Sequence, residues 1–231
     1  MSYKNKDINK RRSTTAVKTA KGRRISSTHW LQRQLNDPYV ALSKQEGYRS
    51  RAAYKLLEID QKFQILKPGY IVVDLGAAPG GWSQVTLDKV ISHKKEQTVG
   101  LVIAIDLIPL EPIENLITIE GDFTKQETQN ILNTHLHQKA NVILSDMAAP
   151  ASGYPDIDHI RIINLCETAL EFAHSHLIEG GYFVTKLFAG KEEQKFIKML
   201  QKHFQSVKRF KPPASRAESS EFYIIAQGFR I

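Results

Sequence analysis

The stretch from Ile71 to Val90 constrains this chain more than any other. Ile71, Val72, Val73, Asp74 and Leu75 form an apolar, β-branched run that reads as a buried strand. The run breaks into Gly76-Ala77-Ala78-Pro79-Gly80-Gly81, after which Trp82, Val85, Leu87 and Val90 recur at helical spacing. Strand, glycine turn and helix together bring a backbone close to a bound molecule at the carboxyl edge of a parallel sheet. The G-x-G-x-x-G spacing that cradles a pyrophosphate is absent. With Asp74 ahead of its first glycine, the turn suits a cofactor that carries a ribose and an amino-acid ammonium and has no phosphate to neutralise. An ordinary strand-to-helix connection would use the same residue types, so the remainder of the chain has to decide.

That remainder alternates. After the polar stretch 1–27, Trp30, Leu31 and Leu35 repeat at helical spacing behind a Ser/Thr cap. Asp37-Pro38 interrupts, a short helical turn follows over 39–45, and the run from Arg51 predicts a helix ending near Phe63 with Ala53, Leu56, Leu57 and Ile59 buried. Lys55 flanks that stripe, where a solvated lysine is the commoner outcome. Further strands are expected over 99–105, 116–119, 140–144 and 182–185, the last entered through a Gly180-Gly181 turn, with helices over 158–177 and 192–204. The final runs, 206–210 and 221–227, have only a loop between them and predict an antiparallel pair. The fold class is therefore α/β, an open, mostly parallel sheet with helices on both faces and an antiparallel last strand. The domain organisation is a basic, disordered tail over 1–27 and one domain over 28–231.

Charge is unevenly distributed. Residues 1–24 hold nine Lys and Arg against Asp7, which accounts for the whole net charge of +8. The rest is balanced overall but polarised: +3 over 25–67, −9 over 68–185 and +6 over 186–231. Basic flanks around an acidic middle point to a polyanion held by the two ends of the chain. The single cysteine, Cys166, sits in an apolar helical pattern without zinc spacing and reads as a buried small hydrophobe. No apolar run reaches membrane-spanning length and no signal-peptide pattern opens the chain, so a cytoplasmic protein that requires no metal is expected.

Four successive strands end in a charged residue: Asp106, Asp122 just past its turn, Asp146 and Lys186. One such residue is commonly a helix cap. Four along one edge suit a ligand, with Asp106 accepting from ribose hydroxyls and Asp122 from an adenine amino group. S-adenosylmethionine has that profile, with Gly76 and Gly80 allowing close approach and Trp82 offering a flat apolar surface. Asp146 and Lys186 would face the place where a methyl group leaves a sulfonium. A ribose 2′-hydroxyl attacking that methyl needs a base, and a lysine serves only if its pKa falls well below about 10.4. A second ammonium at ~4 Å and an effective dielectric of ~20 repels by about 4 kcal/mol, enough to move it.

From about Ser27 to Gly228 the sequence resembles the bacterial 23S ribosomal RNA 2′-O-ribose methyltransferases of the FtsJ type. The likeness is carried by Trp30-Leu31-Gln32, Tyr48-Arg49-Ser50-Arg51-Ala52 with Lys55-Leu56, VVDLGAAPGGWSQ over 72–84, Asp106-Leu107 with Pro109, and Gly121-Asp122-Phe123. It continues through Ser145-Asp146-Met147-Ala148, Lys186, Ser215-Arg216-Ala217, Ser219, Glu221 and Tyr223. The resemblance implies a Rossmann-like fold and S-adenosylmethionine-dependent 2′-O-methylation of an A-loop uridine in 23S ribosomal RNA, with the large ribosomal subunit as partner and a monomeric enzyme. It also implies that Lys55, Asp146, Lys186 and Glu221 form the family's Lys-Asp-Lys-Glu group, and that Gly76, Gly80, Trp82, Asp106, Asp122 and Asp146 hold the cofactor. One departure stands beside Asp146, where the family continues with Pro-Asn and this chain reads Ala149-Pro150-Ala151-Ser152-Gly153. A ribose methyltransferase of transfer RNA or another RNA is the nearest rival reading, and a non-catalytic RNA-binding assembly factor the next.

Deleting residues 1–24 is expected to lower RNA affinity and flatten its salt dependence, since each lost phosphate contact removes counterion release, while cofactor affinity stays unchanged. Binding titrations across a salt series test this. An identical salt slope with and without the tail would make it a bystander.

Overall fold

A computed structural model of the chain describes Thr15 and residues 25–91, 100–150 and 152–231. The basic tail up to residue 24, Thr15 aside, and Val99, expected to open the second strand, lie outside the described residues. Three helices come first: α1 (Ile25–Asn36), α2 (Pro38–Glu46) and α3 (Ala52–Phe63). They lead into β1 (Ile71–Leu75), α4 (Gly81–Val90), β2 (Leu101–Asp106), β3 (Leu116–Glu120), α5 (Gln126–His135) and β4 (Ala140–Ser145). The chain closes with α6 (Pro155–His176), β5 (Leu177–Phe188), α7 (Glu193–His203), β6 (Phe204–Phe210) and β7 (Glu221–Phe229).

The strands form one sheet in the order β3-β2-β1-β4-β5-β7-β6. β7 is antiparallel to both of its neighbours, so the expected pairing with β6 is present, and β7 also inserts beside β5. Period-two alternation sends side chains to two cores. Val73, Leu75, Ile103, Ile105 and Ile143 face α5, α6 and α7. Val72, Val102, Val142, Leu144 and Val184 face α3 and α4. β1 lies between β2 and β4, parallel to both, which makes the gap beyond its carboxyl end the topological switch point where such sheets bind ligands. There the backbone divides. Gly76 and Ala77 donate to the Ile105 carbonyl at 2.9 and 3.1 Å, and Asp146 donates to the Leu75 carbonyl at 3.0 Å.

Local readings needed three adjustments. α1 begins at Ile25, so Ser26, Ser27 and Thr28 lie within its first turns instead of capping it. Gly180-Gly181 is no turn ahead of the fifth strand: β5 runs from Leu177. Leu177 pairs with Ala140 and Tyr182 with Val142, so the residues between them bulge, with Gly180 at φ 78. Tyr54, on the flank of the predicted α3 stripe, is fully buried through packing on Tyr39, 5.4 Å between ring centres.

The carboxyl end of α3 is fixed by Asp60. One of its oxygens accepts from the Leu66 amide at 2.9 Å, and the other pairs with Lys89 of α4 at 3.1 Å. Asp60→Ala is expected to cost about 1–3 kcal/mol, because the buried Leu66 amide loses its acceptor. Denaturant unfolding measures it. A loss below about 0.5 kcal/mol would mean that the amide finds another partner.

Candidate active site

A cleft of about 380 Å³ opens at the switch point, lined by Gly76, Ala78, Asp106, Asp122, Asp146 and Lys186 together with Leu107, Ile108, Phe123 and Met147. Gly76 adopts φ 76, and a Cβ there would lie 2.7 Å from the Met147 backbone nitrogen. Only glycine lets the turns after β1 and β4 come this close. Asp106 accepts from the amides of Ala78 at 2.8 Å and Ile108 at 3.0 Å, tying the glycine turn to the end of β2. Asp122 accepts from the hydroxyl and amide of Thr124, and these bonds, the hydroxyl's first, hold its carboxyl below the usual range.

Two expected cofactor residues are not among those lining this cleft. Trp82, expected to offer a flat surface, is 2% exposed; its indole N–H donates to the Ala52 carbonyl at 2.8 Å and its ring packs on Tyr223 at 5.4 Å. The opening turn of α4 directs the indole back onto α3 and β7. Gly80, at φ 109, is approached instead by Arg49: a Cβ there would lie 3.2 Å from the guanidinium. Arg49 donates to the carbonyls of Pro79, Glu111 and Pro112 and thereby clasps the glycine turn to the loop after β2.

Lys55, Asp146, Lys186 and Glu221, far apart in sequence, meet in one chain of contacts. Lys186 pairs with the Asp146 carboxylate at 2.9 Å and also donates to the Asp146 carbonyl. Tyr223 donates to the same carboxylate oxygen at 2.8 Å, and Lys55 donates to the Tyr223 hydroxyl at 3.3 Å. Lys55 closes on Glu221 at 2.7 Å, and Ser215 donates to that Glu221 oxygen at 2.9 Å. Burial presses the Asp146 carboxyl upward, but the charges of Lys186 and Lys55 and the bonds from Lys186 and Tyr223 outweigh it and hold the group below the ordinary carboxyl value. Tyr223 is fully buried and faces Asp146 and Glu221; burial first, then those charges, push its pKa well above 10. It therefore stays a phenol and a donor. Cys166, which donates to the Lys186 carbonyl at 3.1 Å, is buried with its pKa pushed up to about 12 and is chemically inert there.

Sequence reasoning assigns no contact to two residues of this site: Tyr223, which only helps carry the family resemblance, and Asp74, which only sets the character of the glycine turn. Tyr223 follows Glu221 by two positions in a strand, which puts both on one face, and it pairs in register with Lys186. That spacing was the available signal. Asp74 is fully buried; one oxygen accepts from Ser83 at 2.7 Å and the other has no partner among the described residues. Burial raises its pKa to about 7 against the Ser83 bond, with the charges of Asp146 and Asp106 adding to the rise.

The arrangement fits a molecule with a ribose, an ammonium and a sulfonium. Three carboxylates line the cleft, Asp74 leaves a buried oxygen unpaired behind it, and Gly76 keeps its floor free of a side chain. No group of His, Cys, Asp and Glu suited to a metal occurs among the described residues. Nor is any described helix long and apolar enough to cross a membrane.

The description of the FtsJ-like methyltransferase family matches residues 48–229. The chain belongs to that family. A protein of Paramagnetospirillum magneticum named ribosomal RNA large subunit methyltransferase E is 51% identical over 95% of this chain and 90% of its own length. Its namesake in Sphingopyxis alaskensis is 51% identical over 93% of this chain and 90% of its own. Among solved structures, a Plasmodium falciparum protein assigned as a ribosomal RNA methyltransferase superposes with a TM-score of 0.69 at 32% identity, covering 79% of this chain and 98% of that one. As an FtsJ-like methyltransferase, the chain has its family's sheet, and its cleft lies at that sheet's switch point.

Because the Asp74 pKa is raised on folding, the folded state holds a proton that the unfolded state releases. Stability from this group is complete below pH 3.8 and is lost as pH rises to about 7. In cofactor-free protein, thermal melts across that window should show Asp74→Asn gaining on the wild type by up to a few kcal/mol and then levelling. A constant difference between the two proteins across the window would show that Asp74 is ionised throughout.

Proposed function

We propose that this protein transfers a methyl group from S-adenosylmethionine to a ribose 2′-hydroxyl of large-subunit ribosomal RNA, at an A-loop uridine of the 23S molecule, in the cytoplasm. The observation that carries this reading is the continuous chain Lys186–Asp146–Tyr223–Lys55–Glu221, whose first two members line the cleft. The names of relatives about half identical over nine-tenths of their length support the ribosomal substrate. A protein that only bound RNA would have no use for a buried Lys–Asp pair, since such a pair is costly to desolvate and adds nothing to phosphate affinity. A transfer RNA enzyme would use the same group, so methylation assays on separate RNAs distinguish the two substrates.

In this reading Asp106 and Asp122 hold the cofactor's ribose and adenine, and Gly76 leaves room for it. When bound, S-adenosylmethionine supplies an electrophilic methyl carried on a sulfonium. Lys186, which lines the cleft, takes the proton of the 2′-hydroxyl. A neutral lysine keeps two N–H donors. Asp146 offers two acceptors, its carbonyl and its carboxylate, so the neutral amine loses neither bond and its lone pair is left for the substrate. Once protonated, the ammonium is again held by the Asp146 carboxylate at 2.9 Å. Tyr223 cannot serve as base, because its raised pKa keeps the proton on oxygen. Its role is to fix the carboxylate from the far side and to join it to Lys55. Lys55, held by Glu221 at 2.7 Å, positions the ribose and supplies the neighbouring positive charge.

Lys186→Arg keeps the positive charge and cannot release a proton at working pH. It should slow single-turnover methylation of large subunits by about 10²–10⁴-fold with cofactor affinity largely retained. Lys186→Ala should be similarly slow, and Lys55→Ala should weaken substrate positioning and alter the pH profile. An arginine variant within a few-fold of wild type would remove Lys186 from the role of base.

A further inference from the structure

A second cavity, of about 390 Å³, opens on the other side of the same group of side chains. Arg33 of α1, Arg51 and Lys55 of α3, and Arg216, Glu218, Ser219 and Glu221 of the β6–β7 loop and the strand it enters form most of its lining, four cations against two carboxylates. The two cavities share no residue. Asp146 and Lys186 face the first, Lys55 and Glu221 face the second, and Tyr223 links the pairs. A ribose held between the two lysines would therefore have the cofactor cleft on one side and this cavity on the other.

The cations of the cavity are not equally committed. Arg51 is bound to Asp37 and to the Ala214 carbonyl, and Lys55 to Glu221. Arg216 keeps only a long contact with Asp37, 3.5 Å, and its side chain is 27% exposed. The Arg33 guanidinium makes no ion pair or hydrogen bond among the described residues. A partly enclosed cavity that offers one unpaired guanidinium, a second loosely held, and the Ser219 hydroxyl suits an anion with several acceptor oxygens. In RNA the nearest such anion to a ribose 2′-oxygen is the 3′-phosphate of the same nucleotide, separated from it only by the C2′–C3′–O3′ bridge. The 5′-phosphate leaves from the far side of the ring.

We propose that this cavity is the seat of the phosphate 3′ to the methylated ribose, with Arg33 and Arg216 as its principal ligands and Lys55 at its boundary with the reacting oxygen. The assignment rests on the ribose-methylation reading above and adds to it the polarity of the strand: the RNA runs 3′-ward from the two lysines toward α1 and the β6–β7 loop. It also connects the basic flanks of the sequence, because α1 carries one wall and the loop after β6 the other.

The test uses the full-length protein with its cofactor product bound, and uridine, uridine 3′-monophosphate, uridine 5′-monophosphate and inorganic phosphate as probes in calorimetric titrations. The 3′-monophosphate should bind about tenfold more tightly than uridine or the 5′-isomer, the scale of one charge-assisted contact. Arg33→Gln should erase that advantage while leaving the melting temperature unchanged. On large subunits, the same variant should raise KM with kcat preserved and lower the salt slope of RNA binding by about 0.7. Equal binding of the three uridine compounds to wild type, at any strength, overturns the proposal, as does a 3′-preference that survives in Arg33→Gln. Inorganic phosphate binding as tightly as the 3′-monophosphate would reduce the cavity to a general anion site and also overturns it. Failure of the wild type to methylate any RNA would instead remove the ribose-methylation reading, and the nucleotide titrations report on the cavity separately.

Discussion

The contact between Lys186 and Asp146 sets the terms for everything around it. A buried ammonium and carboxylate are each expensive to remove from water, and their mutual attraction repays the cost only if the remaining polar atoms are also bonded. The site meets that condition at one oxygen of the carboxylate and at two of the three lysine protons. The carboxylate oxygen that accepts from Lys186 also accepts from Tyr223, and the lysine donates a second time to the Asp146 carbonyl. That second bond links the lysine to a backbone whose own amide is fixed to Leu75 of β1. Lys186 is thus referenced to the central strand of the sheet, and a shift in either neighbour would leave a buried charge uncompensated.

Lys55 and Glu221 are held from the other direction. Arg51 joins Asp37, the residue that caps α2, to the carbonyl of Ala214, and Glu58 accepts from the Ala214 amide at 2.7 Å. Ser215, the next residue, donates to Glu221. The loop between β6 and β7 is therefore fastened to the amino-terminal helices, and the position of Glu221 depends on residues nearly the length of the chain away. Phe63 against Phe210, 5.5 Å between ring centres, repeats the same connection in apolar form. Helices that carry no strand of the sheet nonetheless align one of its ends.

Much of this was legible in the sequence, and for identifiable reasons. Continuous apolar, β-branched strand runs, such as 71–75 and 101–106, announce themselves because both faces of a parallel sheet are covered. The edge residues Asp106, Asp122, Asp146 and Lys186 were legible because topology alone places strand ends together. Trp82 was not, since a residue just inside a helix can turn toward the ligand or back into the core, and here the Ala52 carbonyl and the Tyr223 ring decided it. Lys55 and Glu221 could be grouped only through family resemblance: no local pattern tells a paired lysine at the edge of a helix from a solvated one. Arg49 and Tyr223 carried the family resemblance but no legible role, because their partners lie far off in sequence, 62 residues between Arg49 and Glu111 and 77 between Tyr223 and Asp146. The bulge at Gly180 was read as a turn because two adjacent glycines carry the same signal in either setting.

The polarised charge of the chain has its counterpart in the two cavities. The acidic middle of the sequence supplies the carboxylates of one, and the basic flanks supply the arginines of the other. Between them the ionisable side chains cancel in pairs, Lys186 with Asp146 and Lys55 with Glu221, while Tyr223 remains neutral. While both lysines are protonated this wall has no net charge, which matters for the proposed reaction between a cationic cofactor and an anionic strand. A strongly acidic partition would repel the phosphates, and a strongly basic one would repel the sulfonium, each at distances of a few ångströms where screening by salt is weak. With a neutral partition each ligand meets a field of favourable sign on its own side, and the reacting atoms can approach across it. The requirement for two lysines is then met only if two carboxylates accompany them.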